Sequence, residues 1–195
     1  MTEHPILFSA PMVVAILEGR KTQTRRIISR QLQHPGWTAY RYFGPSKNDP
    51  ACRSMAIECG PDYPDDNNDQ VLCPYGAAGD RLWVRETWTQ NYNQLIAFRA
   101  DGEDANDMPW RPSIFMPRWA SRITLEVIGV RVERLQRIRS EDALAEGIVP
   151  TDSPVWFPVD EFQHLWDQIN AKRAPWASNP WVWVVEFRRV TPCSP

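Results

Sequence analysis

The chain has 195 residues and a formal net charge of −2, which fits one domain of ordinary size. Its 43% hydrophobic and 24% charged residues are typical of a globular protein that folds without disulfides or metals. The small net charge argues against a strongly basic protein that coats DNA. No apolar run reaches the length of a membrane span and the N-terminus lacks a signal-peptide pattern, so we expect a cytoplasmic protein without membrane contact.

Proline and tryptophan are the two unusual residue types, with 18 and 10 copies. Proline is excluded from helix interiors and central strands, so its abundance predicts many loops and short elements. Most tryptophans are expected in the core. Any exposed tryptophan is a candidate for stacking against a ligand or partner.

The first predicted element is a short helix that Ser9 caps, with Pro11 in its first turn and Gly19 just beyond its end. This helix leads directly into the basic segment Gly19–Arg26. From about residue 31 to 78 the chain is rich in Pro, Gly, Asn and Asp without sustained periodicity. We therefore expect a long irregular loop or insertion there.

Regular structure is predicted to resume after this insertion. Alternating apolar residues and turn residues predict strands after Gly79-Asp80, at Leu95–Phe98, at Arg122–Ile138 with a bulge at Gly129, and at Trp181–Val190. Helical spacing and capping residues predict one helix capped by Ser140 and a second helix over Phe162–Ile169. The last strand is apolar on both faces and is therefore predicted to be central. Several strands with few helices and no βαβ rhythm predict an α+β fold, a small and mostly antiparallel barrel with packed helices.

Charge is unevenly distributed along the first third of the chain. The stretch Arg20–Lys47 contains seven basic residues and no acidic one, namely Arg20, Lys21, Arg25, Arg26, Arg30, Arg41 and Lys47. Trp37, Tyr40, Tyr42 and Phe43 are interleaved with them, and an acidic stretch follows at Glu58, Asp62, Asp65, Asp66 and Asp69. Such a pattern is typical of phosphate contacts with base stacking. It is equally typical of a solvated basic face balanced by an acidic loop.

The four cysteines, Cys52, Cys59, Cys73 and Cys193, are irregularly spaced and form no CxxC pair. A zinc site made from the first three lacks a fourth ligand in the sequence, so reduced thiols are the favoured interpretation. The histidines (His4, His34 and His164) are scattered, and no residues that form a catalytic motif with them are found in the sequence. The sequence also contains no Gly-rich phosphate loop. We therefore expect no metal and no cofactor.

Three residues have side chains suited to chemistry. Lys21 and Thr24 are three apart after a helix end, so in a turn both can face one cleft. Thr24 is a candidate nucleophile if Lys21, with a pKa lowered by burial and by neighbouring arginines, acts as its base. Glu146 is a candidate carboxylate that orients Lys21 or moves a proton. The alternative is a basic phosphate-binding loop without chemistry, beside a solvated glutamate.

The run Gly19-Arg20-Lys21-Thr22-Gln23-Thr24-Arg25-Arg26 resembles the G-x-K-x-x-T-x-R signature of the ASCH domain, a member of the PUA-like superfamily. The Gly79–Val84 turn and strand, the Glu141–Gly147 helix and the Trp183–Phe187 strand are similar to later elements of that family. The resemblance covers the chain ends and leaves the middle unexplained. The sequence also resembles proteins carried by bacteriophages and prophages.

This resemblance implies a small β-barrel whose cleft accepts a base or RNA. One bacterial member of the family is an amidohydrolase of N(4)-acetylcytidine that uses a threonine, a lysine and a glutamate. By motif these correspond to Thr24 as nucleophile, Lys21 as base and Glu146 as supporting carboxylate. Other relatives bind or cleave RNA.

Two hypotheses follow, and a third is kept as an alternative. The first is recognition of RNA, single-stranded nucleic acid or a modified nucleoside through six binding residues, Arg20, Arg25, Arg26, Trp83, Arg85 and Trp88, with Trp110 as a further stacking candidate. The second adds hydrolysis of an N(4)-acylated cytidine. The alternative is a phage-type regulatory or protein-interaction module without catalysis. The sequence leaves the oligomeric state open.

Overall fold

The structure is a computed structural model that describes residues 1–29, 73–90, 94–102, 108–149 and 157–190, with the backbone of two short strands between them. The helices are α1 (Ala10–Leu17), α2 (Ser140–Ala145) and α3 (Pro158–Asn170). The strands are β1 (Glu3–Leu7), β2 (Gln23–Ile27), β3 (Tyr42–Phe43), β4 (Ala56–Ile57), β5 (Arg81–Arg85), β6 (Trp88–Gln90), β7 (Ile96–Phe98), β8 (Thr124–Arg134) and β9 (Trp181–Arg189). The fold is therefore mixed α+β, as the sequence predicts.

Five strands form the main sheet in the order β1-β5-β8-β9-β2. Only β1 and β5 pair in parallel, and the other neighbours within this sheet are antiparallel. Two separate ladders join β3 to β4 and β6 to β7. No pairing between described strands links β1 to β2, so the predicted antiparallel character is confirmed but a closed barrel is not.

The two edges of the main sheet nevertheless approach one another. The Arg26 guanidinium on β2 donates a hydrogen bond to the carbonyl oxygen of Leu7 on β1. It also lies 5.1 Å from the ring centroid of Phe8, whose ring is 6.0 Å from that of Phe187 on β9. The sheet is therefore curled around the Phe8 side chain.

Both faces of β9 are buried. Trp183, Val185 and Phe187 point into the larger core, which contains the α1 residues Val13 and Ile16. Val182 and Val184 belong to a second cluster under α2 and α3 with Leu135, Ala143, Phe162 and Trp166. The prediction of a central last strand is confirmed, because side chains that alternate along β9 enter two different apolar clusters.

Most elements predicted from the sequence are present with shifted ends. The bulge in β8 is confirmed by a register shift between Val127 and Gly129. Ser140 is the first residue of α2 and not its cap. The cap is Arg139, whose backbone N–H donates to the Asp142 carboxylate at 3.1 Å.

The strand β2 corrects the prediction of a turn after α1. Its letters, Gln-Thr-Arg-Arg-Ile, carry no apolar alternation, so no strand was predicted. Gln23 and Arg25 are buried nevertheless, because both contact the Asp142 carboxylate. Burial of polar side chains against partners from distant parts of the chain is invisible to a local pattern.

Several predicted features lie outside the described residues. These include the basic and aromatic side chains from Arg30 to Lys47, the acidic stretch Glu58–Asp69, and Cys52, Cys59 and Cys193. Cys73, at the end of the predicted insertion, is free and buried. No helix in the described part is long and apolar enough to cross a membrane. The described residues contain no cluster of three or more His, Cys, Asp or Glu residues that could hold a metal ion.

Candidate functional site

The segment after α1 links the C-terminal ends of α1 and α2. Gly19 adopts φ +77°, which reverses the chain at the helix end. The backbone N–H groups of Arg20 and Lys21 then both donate to the Ala15 carbonyl, at 2.9 and 3.0 Å. Thr22 N–H donates to the carbonyl oxygen of Ala145 at 2.8 Å. The two helix ends thereby hold the segment before it enters β2.

The side chain of Lys21 is fully buried and has three hydrogen-bond acceptors. Its Nζ donates to the Gln23 carbonyl at 2.9 Å, to the Glu146 carbonyl at 2.8 Å and to Glu146 Oε2 at 2.8 Å. An ammonium group carries three hydrogens, so this geometry satisfies all of them. Burial lowers the pKa of Lys21, and the adjacent Glu146 carboxylate offsets only part of this effect.

Glu146 lies at the C-terminal cap of α2, and its carboxylate joins two cations. Oε2 accepts from Lys21, and Oε1 accepts from Arg25 Nη1 at 3.3 Å. Gly147 follows with φ +94°, and a Cβ there would lie 3.1 Å from the Ala15 Cβ and 3.2 Å from the Lys21 Cβ. The close approach of α1 and α2 that brings Lys21 and Glu146 together therefore requires glycine at this position.

The Arg25 side chain is fully buried within a cluster of carboxylates. It lies 3.3 Å from Glu146, 3.4 Å from Glu133 and 3.2 Å from Asp142. Its guanidinium also lies over the Phe162 ring at 5.9 Å from the centroid. Arg25 was predicted to contact nucleic acid, but in this structure its charge is already matched by these carboxylates.

A cavity of about 200 Å³ opens between β2 and α3. Its apolar wall consists of Met12, Ile27, Phe162, Leu165, Trp166 and Ile169. Its polar side includes Thr24, Arg25, Arg26, Tyr75, Glu146 and Arg173. Its volume is below the roughly 300–1,000 Å³ of pockets that bury a drug-sized ligand. A planar ring with a few polar substituents is the size of ligand that such a cavity accepts.

Thr24 and Glu146 line the same cavity, and Lys21 lies behind Glu146. Thr24 is buried in the middle of β2, where it pairs with Val185. Lys21 does not line the cavity, and its Nζ donates to Gln23 and Glu146 and not to Thr24. The structure brings two of the three predicted catalytic residues, Lys21 and Glu146, into contact. Thr24 lines the cavity together with Glu146 but is not hydrogen-bonded to Lys21.

The predicted binding residues fall into separate places. Arg20 is exposed, pairs with Glu18 and donates to the Gly147 carbonyl at 3.2 Å. Trp88 is only 2% exposed and packs with Met116 and Ala120, so its ring faces are not available for stacking in this conformation.

Trp83 and Arg85 lie on β5, three strands away from β2. Trp83 is half-buried, with the guanidinium groups of Arg85 and Arg118 lying 5.4 and 5.9 Å from its ring centroid. Trp110 lies 5.9 Å from the Arg99 guanidinium. None of Trp83, Arg85 and Trp110 lines the cavity, so the structure does not bring these predicted binding residues together with Thr24 and Glu146.

Sequence reasoning missed most of the cavity wall. Tyr75 lies within the predicted insertion, and Arg173 follows α3. One signal was available in α3: its apolar stripe extends to Ile169, which is 58% exposed and has no place in the core. An apolar stripe longer than the core requires is typical of a helix that also borders a ligand cavity.

The cavity combines a hydroxyl, a carboxylate, guanidinium groups and aromatic rings. Aromatic walls bind flat apolar surfaces, and the polar groups fix the orientation of a ligand through directed hydrogen bonds. No protein-family model, no curated protein and no solved structure matches the chain.

Proposed function

We propose that the cavity between β2 and α3 binds a nucleobase or modified nucleoside, either free or as part of an RNA strand. The observation that carries this proposal is the position of Thr24 and Glu146 in one small cavity opposite the aromatic side chains of Phe162 and Trp166. A base offers flat faces for such a wall and hydrogen-bonding edges for the polar groups. The motif resemblance to the ASCH domain, with its PUA-like barrel, supports the same ligand class.

Hydrolysis of an N(4)-acylated cytidine is the reaction that these groups suit best. Thr24 Oγ1 attacks the amide carbonyl, the C–N bond breaks, and the amine of cytidine leaves with a proton. Water then cleaves the threonine ester and releases the carboxylic acid. Lys21 needs a free lone pair and access to Thr24 to act as the base, so it must first pass a proton to the adjacent Glu146 carboxylate and give up one of its three contacts.

The test is hydrolysis of N(4)-acetylcytidine by the parent protein and by Thr24→Val. Valine keeps the shape and the strand preference of threonine but lacks the hydroxyl. We expect the variant to lose at least about 100-fold in turnover, because the nucleophile is removed. Thr124→Val on β8 is the control, since Thr124 is also a strand threonine, is partly buried and lies outside the cavity.

Binding is measured on the same proteins by isothermal titration calorimetry with cytidine and N(4)-acetylcytidine. Binding without turnover in the parent would support nucleoside recognition and reject the proposed hydrolysis. Absence of both binding and turnover in the parent would reject the nucleoside proposal altogether.

A further inference from the structure

The cavity lining contains more positive than negative charge. Arg25, Arg26 and Arg173 line it, and Glu146 is its single described carboxylate. Glu146 is already bound by Lys21 and Arg25. Within the described parts of the chain, Arg26 and Arg173 therefore have no carboxylate partner.

Arg26 is incompletely satisfied. Its Nη2 donates to the Leu7 carbonyl, but its Nε is buried and has no hydrogen-bond partner among the described residues. A buried cation with an unused donor is costly unless an anion or acceptor compensates for it. Arg26 therefore lines the cavity with a guanidinium group that the described protein atoms satisfy only in part.

Tyr75 lines the cavity together with Arg26 and Arg173. Burial raises the pKa of the Tyr75 phenol, and the charges of Arg26 and Arg173 both act to lower it. Both guanidinium groups therefore lie within electrostatic range of the same hydroxyl. Arg173 is exposed, so this group of residues extends from the interior of the cavity to solvent.

We propose that Arg26, Tyr75 and Arg173 form a phosphate subsite, and that the ligand of the cavity carries a phosphate next to its base. Guanidinium groups bind phosphate oxygens through charge-assisted hydrogen bonds, and a tyrosine hydroxyl donates to the same oxygens. The substrate class is then a nucleotide or a phosphate within RNA, and a neutral nucleoside lacks the group that this subsite binds. The identification of a base as the ligand rests on the proposed function, whereas the phosphate subsite rests on the positive charge of the cavity lining.

The experiment is calorimetric titration of the parent, Arg173→Gln and Lys172→Gln with four probes: cytidine, cytidine 5′-monophosphate, inorganic phosphate and an oligocytidylate without terminal phosphates. Arg173 is exposed, so its substitution leaves the core intact. Lys172 is also exposed, has the same charge and does not line the cavity. It therefore controls for general electrostatic attraction.

We expect the parent to bind the monophosphate at least about tenfold more tightly than cytidine, as a charge-assisted hydrogen bond predicts. Arg173→Gln should abolish this difference, and Lys172→Gln should retain it. Preference for the oligocytidylate over the monophosphate, lost in Arg173→Gln, would identify a backbone phosphate as the natural ligand group.

Two outcomes overturn the phosphate subsite. Equal affinity of the parent for cytidine and its monophosphate would reject the subsite and leave the proposed nucleoside function intact. Equal loss of affinity for the monophosphate in Arg173→Gln and Lys172→Gln would show that general electrostatic attraction, and not a subsite, causes the preference. Conversely, binding of inorganic phosphate that depends on Arg173, without binding of cytidine, would support the subsite while rejecting the proposed base ligand.

Discussion

Among single residues, Lys21 differs from its basic neighbours because protein atoms enclose its ammonium group completely. Arg20, next to it, is exposed and pairs with Glu18 at the surface. Surface pairs of this kind contribute about 0–1 kcal/mol. Lys21 instead shares Glu146 with Arg25 in the interior, where removal of the lysine takes one of two cations from the carboxylate and the only ammonium group from two buried carbonyl groups.

We expect Lys21→Met to lower the free energy of unfolding by about 3–5 kcal/mol, because Glu146 and two carbonyl groups lose their shared donor in a buried position. Urea unfolding monitored by circular dichroism measures the loss. Lys172→Met, at an exposed lysine, is the control and should change stability by less than about 0.5 kcal/mol. A loss below about 1 kcal/mol in Lys21→Met would contradict the enclosed ion pair.

At the scale of elements, the site depends on how closely the ends of α1 and α2 approach one another. Gly147 ends α2 with a positive φ, and its missing side chain leaves room for Ala15 and Lys21. Gly19 ends α1 with a similar φ of +77°, but a Cβ there would meet nothing within 4 Å. The two glycines therefore share the backbone requirement and differ in the steric one.

We predict that Gly147→Ala is more destabilising than Gly19→Ala. Both substitutions impose the cost of a left-handed backbone, about 1 kcal/mol. Only Gly147→Ala adds overpacking against Ala15 and Lys21, typically about 1–3 kcal/mol. Urea unfolding of the two variants gives the difference directly. Equal losses would show that the helix ends separate freely and that their close contact is not what holds Glu146.

For the whole molecule, the larger core connects elements from both ends of the chain. Residues of β1, α1, β5, β8 and β9 meet in it, and Cys73 is one of its members. Burial raises the pKa of the Cys73 thiol to about 12. The folded protein therefore keeps the thiol neutral at alkaline pH values at which the same thiol ionises in the unfolded chain.

We predict that this thiol makes folding stability fall at alkaline pH. Its folded pKa is raised, so its contribution is complete below the unfolded pKa of about 8.5 and is lost as the pH rises towards 12. Relative to Cys73→Val, the parent should lose about 1 kcal/mol between pH 7.5 and 9.5. The free energy of unfolding in urea at both pH values measures the loss. If the free energy of unfolding depended on pH equally in the two proteins, the Cys73 thiol would ionise as readily in the folded protein as in the unfolded chain, which would contradict its raised pKa.

The sequence alone determined which segments form helices and strands where an apolar period was present. α1 follows from Pro11 and Gly19, and the central position of β9 follows from apolar residues on both of its faces. The bulge at Gly129 was also readable, because glycine interrupts an otherwise regular alternation. These features are local, and the physical chemistry of neighbouring residues specifies them.

The identity of β2 and the composition of the cavity depend on contacts that exist only in the folded chain. Gln23 and Arg25 occupy buried strand positions because Asp142 and Glu146, more than a hundred residues away, supply their partners. Separation in sequence also hides Tyr75 and Arg173, which line the cavity with Thr24 in the folded chain. Hydrophobic periodicity can be detected among a few neighbouring residues, whereas buried polar groups are paired by residues that are distant in the sequence.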